Sequence, residues 1–481
     1  MLRDRRLIAA VLALVLATSG CTRTDTTISP VPSVSVTASA GPYVAGADGI
    51  GDRYYPKAGN CGYDVASYDL DVTYDPATDN LDGVATITAT ATENLSSFNL
   101  DFVGLNTQSV TVDGADAKSE QQGGELVVTP GKGVAQGSSF VTNVTYGGVP
   151  QGFRDPELGD VGFLNTADGA IAIGEPEVAS SWYPVNDHPR DKATYTVRIS
   201  APDGLAALSN GVLKEKKASA KAGFTQWTWV ESKPMASYLA TMVVGTYRVV
   251  ESTHDTLPVV QAVHTSLPTT IDATLARTPE IIDFLQSEFG PYPFDALGGI
   301  AINDNRIRFA LENQTRPIYA ASFFANPSGD ASWVVVHELA HQWYGDSVSV
   351  NEWNEIWLNE GFASYAEWLW SEKQGTSAQS QFDRVYANAN APMWKVPPGA
   401  PGKAQIFDQS VYTRGAMTLH ALRVTVGDDA FFRILKTWAQ EKQNGNATTP
   451  EFIAVAERVS GHDLDQLFND WLYATTRPPR P

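Results

Sequence analysis

His337-Glu338-Leu339-Ala340-His341, followed after eighteen residues (342–359) by Glu360 in Asn359-Glu360-Gly361, decides how this chain is read. The pentad lies in an apolar run, Trp333 to Trp343, whose length and composition predict a helix. Residues four apart share a helical face, so His337 and His341 point their imidazoles at one metal ion. Glu338, directly after the first histidine, stands beside the metal's open position, where a general base for an attacking water is needed. A second helix, Asn354 to about Gln374, brings Glu360 in as third ligand. Two histidines and one carboxylate leave the fourth tetrahedral position free, the pattern of a catalytic zinc rather than a structural one.

Working outward, the spacing changes near residue 250. Before it, short alternating strands are expected at Tyr68–Tyr74, 85–91, 98–102, 110–112, 195–199 and 238–249, punctuated by Asp, Asn, Pro and Gly turns. They predict an antiparallel β-sandwich or saddle domain over 52–252. After it, helical spacing takes over at 270–289, in the two zinc helices, and at 415–426, 429–442 and 450–460. Gly290-Pro291-Tyr292-Pro293-Phe294 breaks the first of these before a short strand near Ile300. A mainly helical catalytic domain is expected over 253–481, and no internal repeat is present.

Other segments carry chemistry of their own. Glu312, in Phe309-Ala310-Leu311-Glu312-Asn313, is a candidate carboxylate for a cationic amine. Tyr412, in Val411-Tyr412-Thr413-Arg414-Gly415-Ala416, is a neutral donor suited to a developing oxyanion. Upstream stand Glu175-Pro176-Glu177, Trp182-Tyr183-Pro184 and Asp187-x-Pro189-x-x-Lys192-Ala193.

Together these segments resemble the gluzincin aminopeptidases, the aminopeptidase N relatives of peptidase family M1, from about Tyr54 to Pro478. The resemblance implies a thermolysin-like catalytic domain, one zinc ion per chain held by His337, His341 and Glu360, Glu338 as general base and Tyr412 assisting. It implies peptides with free N-termini as substrates, their amine met by Glu312 and by a second acid, Glu177, with Glu175 the alternative. His420 is read as structural. Phe309 and Leu311 replace the glycine and methionine of the family's exopeptidase motif, Arg414 replaces a lysine, and Asp346 stands where many relatives have asparagine. The short form implied lacks the large helical C-terminal domain of longer relatives, so a more open cleft is expected. A thermolysin-like endopeptidase, an epoxide hydrolase of the leukotriene hydrolase branch, and a peptide-capturing surface protein are the competing readings.

Arg3, Arg5 and Arg6, an apolar stretch from Leu7 to Ala17, and Thr18-Ser19-Gly20-Cys21 read as a signal peptide over 1–20. Cysteine after Ser-Gly resembles a bacterial lipobox. A lipoprotein anchored through Cys21 at the outer face of a bacterial membrane is expected, with ordinary secretion the alternative. Residues 21–51, rich in Thr, Ser, Pro and Gly, read as a flexible linker. Cys61 is then unpaired, or pairs with Cys21 if no lipid is attached. The 34 basic and 54 acidic residues give a net charge of −20. Removing three Arg and one Asp with the leader makes it −22, which argues against nucleic acid as a partner.

Overall fold

The computed structural model describes residues 41–325 and 330–481; the signal peptide, Cys21 and the linker as far as residue 40 lie outside them. Strand Tyr63–Asp75 sets up the first half. Its buried side chains begin at odd positions, Tyr63 and Val65, and continue at even ones, Tyr68, Leu70, Val72 and Tyr74. A bulge between Val65 and Ser67 inserts the extra residue that makes this shift, so both ends of the strand feed one core. The strand is central to an eight-stranded sheet in the order 212–218, 224–235, 193–202, 63–75, 80–91, 139–148, 106–112, 115–116. Every neighbour is antiparallel except 193–202 beside 63–75. The expected antiparallel β domain is therefore a mixed sheet at that one junction. A four-stranded and a five-stranded sheet complete this half.

Two expectations differ here. The end of the expected linker 21–51 is ordered: Val44–Ala45 pairs with the strand Leu95–Asp101, and Val44 and Gly46 donate to the carbonyls of Asn94 and Ser97 at 2.9 Å. The single strand expected at 238–249 is broken into a turn of 3-10 helix, Ser237–Leu239, and strands Val243–Gly245 and Tyr247–His254. Residues 237–244 are buried on all sides rather than alternately, so no single sheet face accounts for them.

The second half opens on a five-stranded mixed sheet ordered 247–254, 257–264, 297–302, 318–320, 310–311, with Ala310–Leu311 at its edge. The helix expected at 270–289 is two, α1 (Thr270–Leu275) and α2 (Thr278–Phe289). Pro279 near the start of α2 has no N–H to continue the earlier ladder. Next come α3 (Ser332–Ala340), α4 (Trp357–Lys373), α5 (Ala378–Tyr386), α6 (Gly415–Val426), α7 (Asp428–Glu441) and α8 (Thr449–Ser460). Thirteen of the 17 residues of α4 are buried, because it is sandwiched between α3 and α6.

The two halves meet through buried polar contacts. Asp52 accepts from the Trp353 amide (2.8 Å) and from His188 Nε2 (3.1 Å). Lys192 Nζ donates to the carbonyls of Asp346 (2.7 Å) and Ser347 (3.0 Å), just past the zinc helix. Burial lowers the Lys192 pKa to about 7. The Asp187-x-Pro189-x-x-Lys192 segment thus serves the junction between the halves.

Candidate active site

Helix α3 presents His337 and His341 on one face, their ring centroids 4.9 Å apart. Glu360, in the first turn of α4, puts Oε2 3.2 Å from His337 Nε2 and 3.5 Å from His341 Nε2. Tetrahedral ligands about 2.0–2.1 Å from a zinc ion stand roughly 3.3 Å from one another, so the three donors match that spacing. Each imidazole is held through its other nitrogen: His337 Nδ1 meets Glu367 Oε1 at 2.7 Å and His341 Nδ1 meets the Tyr344 carbonyl at 3.0 Å. That leaves both Nε2 atoms free to bind metal. Against the effect of burial, the two histidines hold the Glu360 carboxyl down to about 2, and Glu360 and Glu312 push His341 up to about 9. The negative potential that draws protons onto these imidazoles also favours a dication there. Glu367 is missing from the reading of the sequence. Its signal is the seven-residue step from Glu360, two turns along the same face of α4.

Around this donor set lies a cavity of about 450 Å³. Glu338 lines it, with oxygen, His341 nitrogen and Glu312 oxygen all mutually within 4.8 Å. Burial pushes the Glu338 carboxyl up to about 8, the histidines opposing and Glu312 and Glu360 reinforcing. Glu312 follows the edge strand and is 3 % exposed; Oε1 accepts from Tyr238 OH at 2.9 Å. The Gln342 amide, one residue past His341, donates to the Glu312 carbonyl (2.9 Å) and accepts from the Thr315 N–H (2.7 Å), tying the carboxylate's segment to the zinc helix. Tyr412 lies against His337, ring centroids 6.1 Å apart, in the π-helical turn Ser410–Arg414 before α6. Burial, then Glu360, keep its phenol neutral well beyond the usual range.

Of the two candidate second acids, Glu175 rather than Glu177 lies on the wall of the zinc cavity. Glu175 lines the zinc cavity, is 5 % exposed, and its Oε2 has no hydrogen-bond partner. Burial raises its pKa well above the ordinary value, followed by the charges of Glu312, Glu360 and Glu338. Glu177 lines an adjoining cavity with Tyr55 and Asp187. Glu175 and Pro176 line that adjoining cavity too, but only Glu175 of the two acids also reaches the zinc cavity.

The departures from the family pattern also find their places. Phe309 is half-buried and faces the cavity; Leu311 is buried in the core. Arg414 is fully buried and donates to the carbonyls of Trp394, Asp470, Trp471 and Ala474, using a planar fork that lysine lacks. Asp346 is fully buried, and burial, then the charge of Glu312, raises its carboxyl pKa well above the ordinary value. His420 bonds Tyr365 and Gln379 away from the cavity.

A buried His-His-Glu donor set with a carboxylate at its open side places the chain among the His-Glu-x-x-His zinc enzymes. Residues 65–239 match the Peptidase M1 N-terminal domain, and residues 273–471 match the Peptidase family M1 domain. The solved M1 zinc metallopeptidase from Deinococcus radiodurans is 30% identical, with a TM-score of 0.81, over 90% of this chain and 98% of that one. The chain belongs to peptidase family M1. A mutant of the Deinococcus enzyme bound to a Tyr-Ser-Ala substrate superimposes equally well, TM-score 0.81 at 30% identity over 90% of this chain and 100% of that one. Aminopeptidase M1 of Arabidopsis thaliana is 28% identical over 324 residues, 63% of this chain and 36% of that protein. Aminopeptidase N of Streptomyces lividans is 28% identical over 313 residues, 60% of this chain and 36% of that protein. The chain thus spans about a third of the length of these two relatives.

Proposed function

We propose that the protein is a zinc-dependent aminopeptidase that hydrolyses the first peptide bond of peptides with a free N-terminus. One observation carries this: two buried carboxylates, Glu312 and Glu175, line the cavity beside the zinc donors. Two like charges in one buried pocket raise each other's pKa, and an ammonium group placed between them relieves both. An internal peptide bond brings no such cation. The aminopeptidases among the relatives and the tripeptide bound to the Deinococcus mutant support the reading.

His337, His341 and Glu360 would hold the zinc ion, which when bound supplies a Lewis acid and lowers the pKa of a water at the open position. Glu338 takes that water's proton and passes it to the leaving amine. Tyr412 donates to the oxyanion that develops on the scissile carbonyl. Glu312, braced by Tyr238, and Glu175 hold the α-amine and so set which bond lies beside Glu338.

We also infer, from residues 1–21, export and attachment through a lipid at Cys21. Mass analysis of the mature N-terminus tests that separately.

The functional test compares peptides with free and acetylated N-termini, with and without a chelator. Chelator-sensitive release of single residues from free N-termini alone is expected. Internal cleavage of acetylated peptides would overturn the exopeptidase reading.

A further inference from the structure

Trp333 is 45 % exposed and belongs to the same helix as the zinc ligands. It precedes His337 by four residues, as His337 precedes His341, so the three side chains follow one stripe of α3 into the cavity. Phe323 packs edge-on against the indole with ring centroids 5.7 Å apart. Phe323, Val334 and Phe309 line the same cavity. The cavity thus has an exposed indole on its wall, held in place by a second aromatic ring.

The order of groups along the helix gives the stripe a direction. Glu312 clusters with His341 and Glu338, at the C-terminal end of α3. Trp333 lies at the other end, eight residues or about 12 Å along the axis from His341. A peptide whose amine rests on Glu312, and whose first carbonyl lies at the donors, therefore runs toward Trp333 after the scissile bond. From His337 to Trp333 is about 6 Å along the axis. An extended chain advances about 3.4 Å per residue, and a large side chain on the second residue covers the remainder. A glycine or alanine there leaves the indole in water.

We propose that Trp333, braced by Phe323, forms an apolar subsite for the side chain of the peptide's second residue and selects peptides with an aromatic or large aliphatic residue there. This rests on the aminopeptidase reading and adds to it a preference on the leaving side of the bond. Aromatic contacts of this kind and apolar pockets discriminate between side chains by about tenfold or more.

The zinc-loaded protein is assayed with Leu-Xaa-Gly-amide, where Xaa is Gly, Ala, Leu or Phe. The expected kcat/KM is about tenfold higher for Phe than for Gly. In Trp333→Ala the Phe-to-Gly ratio falls to within about threefold, Trp333→Phe keeps most of it, and Phe323→Ala lowers it independently. Zinc content and thermal midpoint are followed in each variant, so that a folding defect is recognised. Hydrolysis of the whole series with no second-residue preference would overturn this inference alone, as would a ratio unchanged in Trp333→Ala and Phe323→Ala. A preference at the third residue but not the second would overturn the assigned register. Failure to cleave any free-amine peptide would overturn the aminopeptidase reading itself.

Discussion

A Cβ placed on Gly415 would fall 2.8 Å from the Cα of Gly361, and one placed on Gly361 would fall 3.0 Å from the Cα of Gly415. Both residues are helical, so their role is close approach rather than an unusual backbone angle. Gly361 follows the third zinc ligand, and Gly415 comes three residues after Tyr412. The contact of α4 with the start of α6 therefore sets how far Tyr412, the proposed oxyanion donor, stands from His337 and Glu360. Gly415→Ala is expected to lose about 1–3 kcal/mol of stability by overpacking. It should also lower kcat by tenfold or more, because displacement of a catalytic group by a fraction of an ångström is felt in the rate. Thermal unfolding and steady-state kinetics on one peptide check both. A variant with wild-type kcat would show that Tyr412 is not positioned by this contact.

The grouping of His337, His341 and Glu338 was legible because a single local rule, helical spacing, places them. Glu360 needed only a second helix of the right phase. Glu175 against Glu177 was not decidable that way, since the two lie on a loop around Pro176 and no periodicity says which one enters the cavity. Tyr238, which braces Glu312 from 74 residues away, left no signal in the sequence either. In the β half, the strands that alternate cleanly were readable. The fully buried stretch at 237–244 was read as continuous strand because an apolar run carries no phase.

Glu175→Gln and Glu177→Gln separate the two candidate acids. Loss of one charge-assisted hydrogen bond to the substrate amine corresponds to about 10–100-fold in kcat/KM, expected for Glu175→Gln only. Glu177→Gln should stay within about twofold, as a substitution away from such a contact does. The thermal midpoint of Glu175→Gln should be unchanged or higher, because the substitution removes a buried carboxylate crowded by Glu312. Equal losses in both variants would mean that the adjoining cavity also takes part in binding.

Among the described residues lining the zinc cavity none is lysine or arginine, while Glu338 and Glu367 both stand on its wall. The free carboxylate of a dipeptide would sit one residue past the scissile bond with no cation to receive it and like charges nearby. A dipeptide amide or a tripeptide moves that charge away or removes it. The expected kcat/KM for Leu-Phe-amide exceeds that for Leu-Phe by about tenfold or more, with the difference mostly in KM. Equal rates would mean that a cation outside the cavity wall reaches the carboxylate.

His188 and Asp52 join the two halves in a pair whose protonation is fixed by its neighbours. The Arg190 amide donates to His188 Nδ1 at 3.1 Å, so the imidazole proton resides on Nε2 and is donated to Asp52. Burial lowers the His188 pKa and keeps the ring neutral. Burial alone would raise the Asp52 carboxyl, but His188 and the amides of Trp353, Tyr55 and Tyr54 outweigh it and lower the pKa from 3.8 to about 2. The carboxyl's folded pKa is the lower one, so the unfolded chain takes up this proton first. The corresponding stability, about 2 kcal/mol, is present above pH 3.8 and lost as the pH falls toward 2. Asp52→Asn should therefore destabilise the protein by about that amount at pH 7, and the gap to wild type should not shrink between pH 7 and pH 4.5. Denaturant unfolding at several pH values measures it. A gap already closing at pH 5 would mean that Asp52 is protonated in the folded protein, and that the junction is held by the surrounding amides rather than by a carboxylate.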